Sequence, residues 1–583
     1  MIDDACELRS GQDGTTTAQG DDHDRREQSV QRPLAGLTRS NLITELLAGV
    51  TLLAIAIPLN IGYAQIAGLP PTAGLYALVV PTVIYALVVS SRQVVASPDA
   101  AAAALVASSI GGLAAAGSED YATMALAQAI ICGVLFLLLA FFKLGFLANF
   151  LSKPILVGFV GGLALDILVS QIAKMLGVKI ESGGEFVEKV GGIVAGLGTA
   201  NGWSILISGV AVAVLIVGRR LIAAVPWALV VMVVATIVVV IAQLDQQGVA
   251  VLGEVPAGPP TLTWPVLSWL EWLALVPSAI ALTLVTTAEG LLVSRSYGEK
   301  RRYTTRPNRD LFAFGLSNIA AGAQGSFAIG SSTSRTAAMD QAGSRTQLPS
   351  LVLAAGTLLL LLFGTGLLAD IPSPAIGAIV AVAVLPLLGI SEFAALWKRD
   401  RFEFAIGATC FAVTLFIGSI PGILVAFVLA LINLAKRAAS PAIDVLAADD
   451  DPKQSLLDEA PPGSTTAPGV IVIRIAAPLF FANGAVFADA VKKAVVASGE
   501  DDVRAVVIDM EAVTDIDVTA AESFEGLTAW LADRRILLAF SRLRPESEAR
   551  LAQLGMLEGA QVFTTNRAAV AALSPPADPN AQP

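Results

Sequence analysis

The sequence is poor in the residues that most enzyme and metal sites use. Its 583 residues include one histidine, His23, and three cysteines, Cys6, Cys132 and Cys410. A single histidine in a polar stretch gives no basis for a catalytic dyad, and cysteines so far apart argue against a disulfide framework or a zinc site. Neither a serine triad nor a phosphate-binding glycine loop of the P-loop type is visible. We therefore predict no enzymatic activity, no cofactor and no bound metal.

Charged residues are also scarce. Asp, Glu, Lys and Arg form 15% of the chain and hydrophobic residues form 55%, a composition typical of a polytopic membrane protein. Most charges lie in 1–40 and 445–583, so the net charge of −11 belongs largely to the ends of the chain. No signal peptide precedes the first apolar span. The lipid bilayer is the expected environment, and we expect no nucleic-acid partner.

The apolar region divides into fourteen segments. They are predicted at 41–67, 74–89, 99–116, 121–142, 154–173, 203–217, 221–243, 268–294, 310–325, 332–343, 348–369, 374–390, 401–417 and 420–436. Loops after even-numbered segments hold fifteen lysines and arginines, whereas loops after odd-numbered segments hold three. Because cytoplasmic loops are the basic ones, this asymmetry predicts a multi-pass plasma-membrane protein with both termini in the cytoplasm.

Segments three and ten are short, and each follows a polar break. Segment three comes after Ser97-Pro98 and begins at Asp99, and positions 331–336 hold five hydroxyl residues and Arg335. Interrupted segments at matching places in two seven-segment halves indicate a transporter built from inverted repeats. Irregular polar backbone at membrane depth must be buried in protein or line a wet cavity. Because helix N-termini favour negative ligands, we predict an anion site at these two breaks.

Beyond the membrane region, strands alternate with helices. Strands are predicted at 470–475, 503–509, 536–540 and 561–563, with helices at 486–496, 519–532 and 545–554. This alternation indicates a small cytoplasmic α/β domain with a mostly parallel sheet. The predicted divisions of the chain are a disordered tail at 1–40, a transmembrane domain at 41–440, a linker at 441–468, the α/β domain at 469–575 and a disordered tail at 576–583.

Several motifs resemble, in the same order, those of the SulP (sulfate permease) anion transporters that carry a C-terminal STAS domain. They are Ala56-Ile57-Pro58, Ala67-Gly68-Leu69-Pro70-Pro71, Ser97-Pro98-Asp99-Ala100, Asn308-Arg309-Asp310-Leu311, Ser334-Arg335-Thr336, Gly343-Ser344-Arg345-Thr346-Gln347, Pro478-Leu479-Phe480-Phe481-Ala482-Asn483 and Asp515-Ile516-Asp517-Val518-Thr519. The resemblance covers 41–575. It implies an all-α membrane fold like that of the uracil transporters, with core and gate parts, a homodimer and elevator-like alternating access. Sulfate, bicarbonate, halides and dicarboxylates are the substrates it implies.

The predicted anion site joins the two half-helix N-termini. Ser334 and Thr333 are the predicted direct ligands, since hydroxyls and free amides can replace a hydration shell, although a hydroxyl there could instead cap the helix. Pro98, Asp99 and Ala100 are predicted to line the facing side. We expect Asp99 to act mainly as a helix cap, because its charge would repel an anion.

Three further residues of the membrane region are candidates. Arg335 is expected to shape the site electrostatically, because intramembrane charges are usually functional; the alternative is a structural ion pair with Glu289. Glu289 could couple protons to transport or belong permanently to that pair. The resemblance implies that Tyr63 lines the pocket, and a packed aromatic is the alternative. Leu59 departs from the glutamine that many members carry after the proline matching Pro58, so no relative's substrate transfers directly.

Two residues lie away from these breaks. Asp166 is a second intramembrane acid, which could face water in the gate or be a coupling site. Thr519 occupies the place where related anti-sigma-factor antagonists carry a phosphorylated serine; the alternative is a plain helix N-terminal hydroxyl. Through Thr519, a regulatory protein could act on the STAS domain.

The sequence therefore predicts a secondary active transporter of a small inorganic anion, with sulfate first and proton symport as one coupling option. The alternatives are a bicarbonate or dicarboxylate transporter, a nucleobase carrier of the same fold, and a channel-like or regulatory membrane protein. The Gln/Glu-Asn-x-Gly signature of nucleobase carriers is not seen, and Ser334-Arg335 favours an anion.

Overall fold

A helix is present at each of the fourteen predicted segments. The computed structural model describes residues 33–145, 153–180, 186–222, 225–447, 458–461 and 463–575. The chain forms two compact units, Met1–Val428 and Leu429–Pro583. Residues 1–32 of the tail predicted at 1–40, the tail predicted at 576–583 and much of the predicted linker lie outside the described residues.

In the described part of the first unit, the regular structure is helical apart from two very short strands. Its helices are α1 (Leu42–Ile66), α2 (Pro71–Tyr76), α3 (Val80–Val88), α4 (Ala100–Ile110), α5 (Glu119–Phe141), α6 (Lys153–Leu176), α7 (Phe186–Gly196), α8 (Gly202–Leu221), α9 (Trp227–Ala242), α10 (Trp269–Arg301), α11 (Pro307–Ala323), α12 (Thr333–Gln341), α13 (Leu348–Phe363), α14 (Ser373–Val384), α15 (Ile390–Arg399) and α16 (Arg401–Phe416), followed by α17 (Ser419–Ala439). The strands are β1 (Ala96–Ser97) and β2 (Gly330–Ser331). Among the described residues, seven helical stretches are long and apolar enough to cross a membrane.

The packing partners of the helices divide the first unit into two bundles. In one bundle, α5 packs on α10 and α11, α13 packs on α1, and α3 packs on α11 and α13. In the other bundle, α6 packs on α14 and α16, and α8 packs on α9 and α14. Helices α4 and α12, with the two strands that precede them, belong to the first bundle through α1 and α10. We call these the core bundle and the gate bundle.

The core and gate bundles meet through small residues. A Cβ at Gly62 of α1 would lie 2.4 Å from Val380 Cγ2 and 3.3 Å from Ile376 Cγ2, both on α14. Real Cβ atoms do not approach Cγ2 of valine so closely, so glycine is required at position 62 as long as Val380 faces it. Helix α4 also contacts α6 of the gate bundle.

Several predicted boundaries of the first unit differ from the structure. The second segment is two helices, because the backbone at Val79 leaves the helical region before α3 begins. Helices α7 and α15 were not predicted; both are short, at 11 and 10 residues, and carry charges that interrupt an apolar pattern. Residues 33–40, part of the predicted tail, form turns, and the Gln347 amide donates to the Pro33 carbonyl (3.1 Å).

The second unit is an α/β domain with a five-stranded sheet. Its strands are β3 (Ile443–Val445), β4 (Val470–Ile475), β5 (Ala505–Asp509), β6 (Leu537–Ser541) and β7 (Gln561–Phe563), in that spatial order. Its helices are α18 (Gly484–Ala497), α19 (Val518–Asp533), α20 (Pro545–Gln553) and α21 (Asn566–Leu573). Strand β3 pairs antiparallel with β4, and the remaining pairs are parallel.

The core of the second unit is apolar on both faces of the sheet. Strands β4 and β5 are buried almost throughout, which parallel strands require when helices cover both faces. On α18, Phe487, Val491 and Val495 are fully buried, as their four-residue spacing predicts. Strand β3 lies inside the range predicted as a linker; three residues are too few to show an alternating pattern in the sequence.

Candidate anion site

The two polar breaks meet in space. Strands β1 and β2 pair antiparallel, with Ala96 opposite Ser331 and Ser97 opposite Gly330. Each strand runs almost directly into a half-helix, β1 into α4 and β2 into α12. Because the strands are antiparallel, the two half-helices leave the crossing in opposite directions, so that both N-termini face it. Positive ends of two helix dipoles are thereby placed around one point.

Gly330 permits this close approach. A Cβ at Gly330 would lie 2.7 Å from Asp99 Oδ2 and 3.4 Å from Thr286 Cγ2. No residue with a side chain fits there unless the Asp99 carboxylate moves away from the α4 N-terminus. The sequence alone gives no signal for this requirement, because Gly330 is one of 51 glycines.

Asp99 caps α4, as predicted from the sequence. It is the N-cap residue, and its Oδ1 accepts a hydrogen bond from the Ala102 amide (2.7 Å). The carboxylate is thereby held at the helix end, where the dipole stabilises negative charge. Pro98 and Ala100 are buried beside it, with the amide of Ala100 in the first turn, where helices leave donors unused.

Ser332 caps α12 in the same way. Its hydroxyl accepts from the Arg335 amide (3.4 Å) and lies 3.4 Å from the Ser334 hydroxyl. Thr333 and Ser334, the predicted ligands, occupy the first two positions of α12, and their side chains are exposed. Their backbone amides lie in the first turn, where the helix offers no carbonyl to accept from them. Hydroxyls and amides at this helix start are therefore available to a ligand.

Arg335 is fully buried in the first turn of α12. Its Nη2 donates to the carbonyl of Pro98, and its guanidinium carbon lies 5.6 Å from the centre of the Tyr63 ring. This contact joins the start of α12 directly to the start of α4. Tyr63 is itself buried in α1, so the structure brings the aromatic candidate against the cationic one.

The predicted alternative for Arg335, an ion pair with Glu289, is not seen among the described residues. No carboxylate oxygen lies within the 4.0 Å of an ion pair with Arg335. Glu289 lies on α10, partly buried, and near enough to Asp99 for the two charges to interact. The structure therefore places Glu289 beside the α4 end of the crossing, opposite a second acid.

Several buried polar atoms at the crossing have no hydrogen-bond partner among the described residues. They are Ser97 Oγ, Ser331 Oγ, Arg335 Nε and Arg335 Nη1. Thr287 Oγ1 of α10 is a further buried atom without a partner. Buried polar groups are nearly always paired, and exceptions point to water or ligand that the structure does not contain. Ser97 and Ser331 lie on opposite faces of the short ribbon, since Ser331 pairs with Ala96 and Ser97 pairs with Gly330. The two unpartnered nitrogens of the buried Arg335 are donors that suit an anion at the crossing.

Three positioning residues were missed by the sequence analysis. Asn318 of α11 accepts from the Ile329 amide (2.9 Å) and donates to the Ile329 carbonyl (3.1 Å), which fixes the approach to β2. Thr336 Oγ1 accepts from the Val95 amide (3.0 Å), and Gln347 Nε2 donates to the Val94 carbonyl (2.8 Å), which fixes the approach to β1. Thr336 and Gln347 lie within motifs of the family resemblance, whereas Asn318 shows in the sequence only as an uncharged polar residue within an apolar segment.

The other two candidates lie away from the crossing. Asp166 of α6 pairs with Lys189 of α7, with Nζ 2.7 Å from Oδ2 and 2.9 Å from Oδ1. This intramembrane acid therefore has a structural partner in the gate bundle. Thr519 is exposed in the first turn of α19, whose N-cap is Asp517, and its hydroxyl is open to solvent.

Comparison with known proteins identifies the families to which the two parts of the chain are similar. The sulfate permease family matches residues 42–410, and the STAS domain family matches 462–569. A probable sulfate transporter of Mycobacterium tuberculosis is 33% identical over 516 residues, which form 88% of this chain and 91% of that protein. The chloroplastic sulfate transporter 4.1 of Arabidopsis thaliana is 30% identical over 533 residues, or 88% of this chain and 77% of that protein.

Solved structures share the fold. The murine solute carrier 26 family member A9 anion transporter, in its inward-facing state, has a TM-score of 0.83 at 20% identity and covers 98% of this chain and 99% of its own. The transmembrane domain of the cyanobacterium bicarbonate transporter BicA has a TM-score of 0.58 at 22% identity and covers 68% of this chain and 98% of its own. These likenesses confirm the predicted fold class, a helical membrane domain followed by a small α/β domain. The chain belongs to the sulfate permease family of transporters and carries a STAS domain after its membrane domain.

Proposed function

We propose that this chain is a secondary active transporter of sulfate, which binds where the N-termini of α4 and α12 meet. One observation carries the proposal. The buried Arg335, Ser97 and Ser331 leave polar atoms without partners at that point, among the described residues. An anion there would accept hydrogen bonds from the Arg335 guanidinium and from the first amides of both half-helices. The exposed hydroxyls of Thr333 and Ser334 complete a site of donors.

Sulfate is the proposed substrate for two reasons. The relatives that match most of this chain are named as sulfate transporters. In addition, a tetrahedral dianion presents acceptor oxygens in several directions, and the donors of this site approach from two helices and one side chain. A buried guanidinium also favours a divalent anion over a monovalent one, because the attraction scales with the charge of the ligand.

The proposed mechanism is an elevator-like movement of the core bundle against the gate bundle. Every group assigned to the anion site lies on the core bundle, so the site can move as one body. The two bundles touch through Gly62 and Val380, a contact between small surfaces that allows sliding. A disulfide between these positions tests the movement, since a Cβ at Gly62 would lie 3.9 Å from Val380 Cβ, within disulfide range.

In that test, Gly62→Cys and Val380→Cys are combined in a background without native cysteines. We expect oxidation to stop sulfate uptake and reduction to restore it. Uptake that continues in the fully cross-linked protein would rule out a sliding movement at this contact. The reduced double variant is the matched control, because it carries the same substitutions without the bond.

Glu289 is the proposed proton-coupling group. It is an acid of the core bundle that lies beside Asp99 and has no cationic partner within ion-pair distance among the described residues. Repulsion between two nearby acids favours protonation of one of them. A proton bound at Glu289 would lower the negative charge near the site and so favour anion entry from the same side.

The remaining proposals concern the setting of the protein. We propose a plasma-membrane homodimer with both termini in the cytoplasm. The basic loops after even-numbered segments support this orientation of the termini. We also propose that a regulatory protein contacts the STAS domain at Thr519, whose side chain is exposed on the first turn of α19. Labelling of single cysteines in loops tests the orientation, and light scattering of the purified protein tests the dimer.

Uptake of radiolabelled sulfate into proteoliposomes tests the function itself. We expect saturable uptake that an inward proton gradient accelerates. Unlabelled sulfate should compete strongly, whereas chloride and uracil should compete weakly. Preferred transport of bicarbonate, a dicarboxylate or uracil would replace sulfate as the substrate, and non-saturating conductance would indicate a channel instead.

A further inference from the structure

A positively charged cavity lies in the core bundle, apart from the half-helix crossing. It has a volume of about 250 Å³. Five basic side chains line it, from three different parts of the chain: Arg92, Lys300, Arg301, Arg302 and Arg345. Arg92 follows α3, the next three residues close α10, and Arg345 lies between α12 and α13. None of these residues was assigned to the anion site.

The positive charge of this cavity exceeds the negative charge beside it. Asp340 is the acid within ion-pair distance of the cavity cations among the described residues, with 2.9 Å to Lys300, 2.6 Å to Arg301 and 3.9 Å to Arg345. No ion pair within the described ranges involves Arg92 or Arg302. A second carboxylate, the buried Glu45, accepts from the Arg345 backbone amide (2.7 Å). Five cations against these two carboxylates leave an excess of positive charge, which favours an anionic ligand.

Arg92 is held in place by other groups of the cavity wall. Its guanidinium carbon lies 5.2 Å from the centre of the Tyr303 ring, and its buried Nε has no hydrogen-bond partner among the described residues. Tyr303 is fixed in turn, since its hydroxyl accepts from the Arg92 amide (3.1 Å) and donates to Gln93 Oε1 (2.6 Å). Burial raises the pKa of the Tyr303 phenol, so the hydroxyl stays protonated and keeps this arrangement at neutral pH.

Arg302 adopts a backbone conformation that is uncommon for arginine. It ends α10 with φ of 57° and ψ of 50°, the left-handed region that glycine usually occupies after a helix. Such a conformation costs free energy in a residue with a long side chain. Here it places a third consecutive cation on the wall of the cavity.

We propose that this cavity binds a phosphate group carried by a soluble phosphate compound or by a lipid headgroup. Arginine forks suit the oxygens of phosphate, which accept two parallel hydrogen bonds from one guanidinium. The volume is below the roughly 300–1,000 Å³ of sites for drug-sized molecules, so it accommodates one or two phosphate groups. The ligand class is therefore a phosphate ester or diphosphate, distinct in position from the transported anion.

The cavity is joined to the half-helix crossing by direct contacts. Asp340, which Lys300 and Arg301 hold, lies on α12, the helix that carries Arg335. The loop between Arg92 and β1 is held to the start of α12, because the Val95 amide donates to Thr336 Oγ1. A phosphate in the cavity would compete with Asp340 for Lys300 and Arg301. Occupancy would therefore alter the restraint on α12, which makes the cavity a regulatory site.

The test measures binding of inorganic pyrophosphate to the purified full-length protein by calorimetry, in sulfate-free buffer. The variants are Arg92→Gln and Arg302→Gln. The control is Arg295→Gln, which removes an exposed arginine of α10 that pairs with Glu299 and does not line the cavity. We expect each cavity variant to weaken binding about tenfold, the loss of one charge-assisted hydrogen bond, and the control to leave it unchanged.

A parallel arm distinguishes the two sources of the phosphate group. It measures flotation of the same proteins with vesicles of phosphatidylcholine, with or without a phosphoinositide. Loss of phosphoinositide-dependent flotation in Arg92→Gln and Arg302→Gln assigns a lipid headgroup, whereas pyrophosphate binding without such flotation assigns a soluble phosphate compound. The proposal is overturned if the wild type shows neither interaction, or if Arg295→Gln weakens it as much as the cavity variants do.

Discussion

Replacing Arg335 by methionine tests the electrostatic part of the proposed anion site. Methionine is close to arginine in length and flexible enough to fill the same buried space, so the substitution removes mainly the charge and its donors. It also removes the contact with the Pro98 carbonyl that joins the starts of α12 and α4. Because Arg335 is fully buried, water cannot take the place of its charge beside a bound anion in the variant.

The expected magnitude follows from Coulomb's law. At about 4 Å and an effective dielectric constant of about 20, a unit charge interacts with another by about 4 kcal/mol. Part of this energy is offset by the desolvation of arginine and anion, so we expect a loss of about 3 kcal/mol per unit of anion charge. Transport of a monovalent anion should fall about a hundredfold in kcat/KM, and transport of divalent sulfate should fall further.

The assay compares initial uptake of sulfate with that of a monovalent anion in proteoliposomes of wild type, Arg335→Met and Arg335→Lys. Lysine keeps the charge and should retain more activity towards both anions. Thermal unfolding in detergent must show that each variant is folded. Equal losses for monovalent and divalent anions, or full transport by Arg335→Met, would refute the electrostatic role of Arg335.

Three further predictions concern single groups. Ser334→Ala should raise the KM for sulfate about tenfold in the uptake assay, because one hydrogen bond to a charged ligand is lost. The control is Thr409→Ala, which removes an exposed hydroxyl of α16 that donates to its own helix and should leave KM unchanged. Glu289→Gln should abolish the acceleration of uptake by a proton gradient while sulfate binding persists; acceleration equal to wild type would place coupling elsewhere. Asp166→Asn should lower the free energy of unfolding by about 1–3 kcal/mol, because Lys189 loses its partner. Adding Lys189→Met should recover part of this loss. Thermal unfolding measures both effects.

The long apolar segments were predictable because their signal is strong and local. Helix α1 was predicted at 41–67 and spans Leu42–Ile66, and β4 and β7 were predicted with their observed bounds. A run of apolar residues at membrane length excludes most alternatives. Boundaries failed where tertiary contacts decide, as at Val79, which interrupts the second segment between α2 and α3.

The location of the candidate site was also predictable from the sequence, but its construction was not. Polar breaks before α4 and α12 are visible because they interrupt hydrocarbon-like sequence. The antiparallel pairing of Ala96 with Ser331 is a long-range contact that no local pattern encodes. For the same reason the sequence left Glu289 open as an alternative partner of Arg335, whereas the guanidinium donates to the Pro98 carbonyl.

The basic cavity illustrates a further limit of sequence patterns. Its cations were counted in the sequence as parts of three basic loops that predict membrane orientation, and Arg345 also as part of a motif. The fold brings Arg92 and Arg345 beside the three cations that close α10, although the three groups are far apart in the chain. A charge count could not distinguish a solvated loop from a lined cavity, since that difference depends on packing.

The position of the bound anion is the central claim, and selenate tests it most directly. Selenate has the shape and charge of sulfate, and its selenium atom gives an anomalous signal in crystals of the full-length protein. We predict one selenium peak between the first turns of α4 and α12, within hydrogen-bond range of Ser334 and beside Arg335. A peak confined to another part of the membrane domain, with none at the half-helix crossing, would contradict the account.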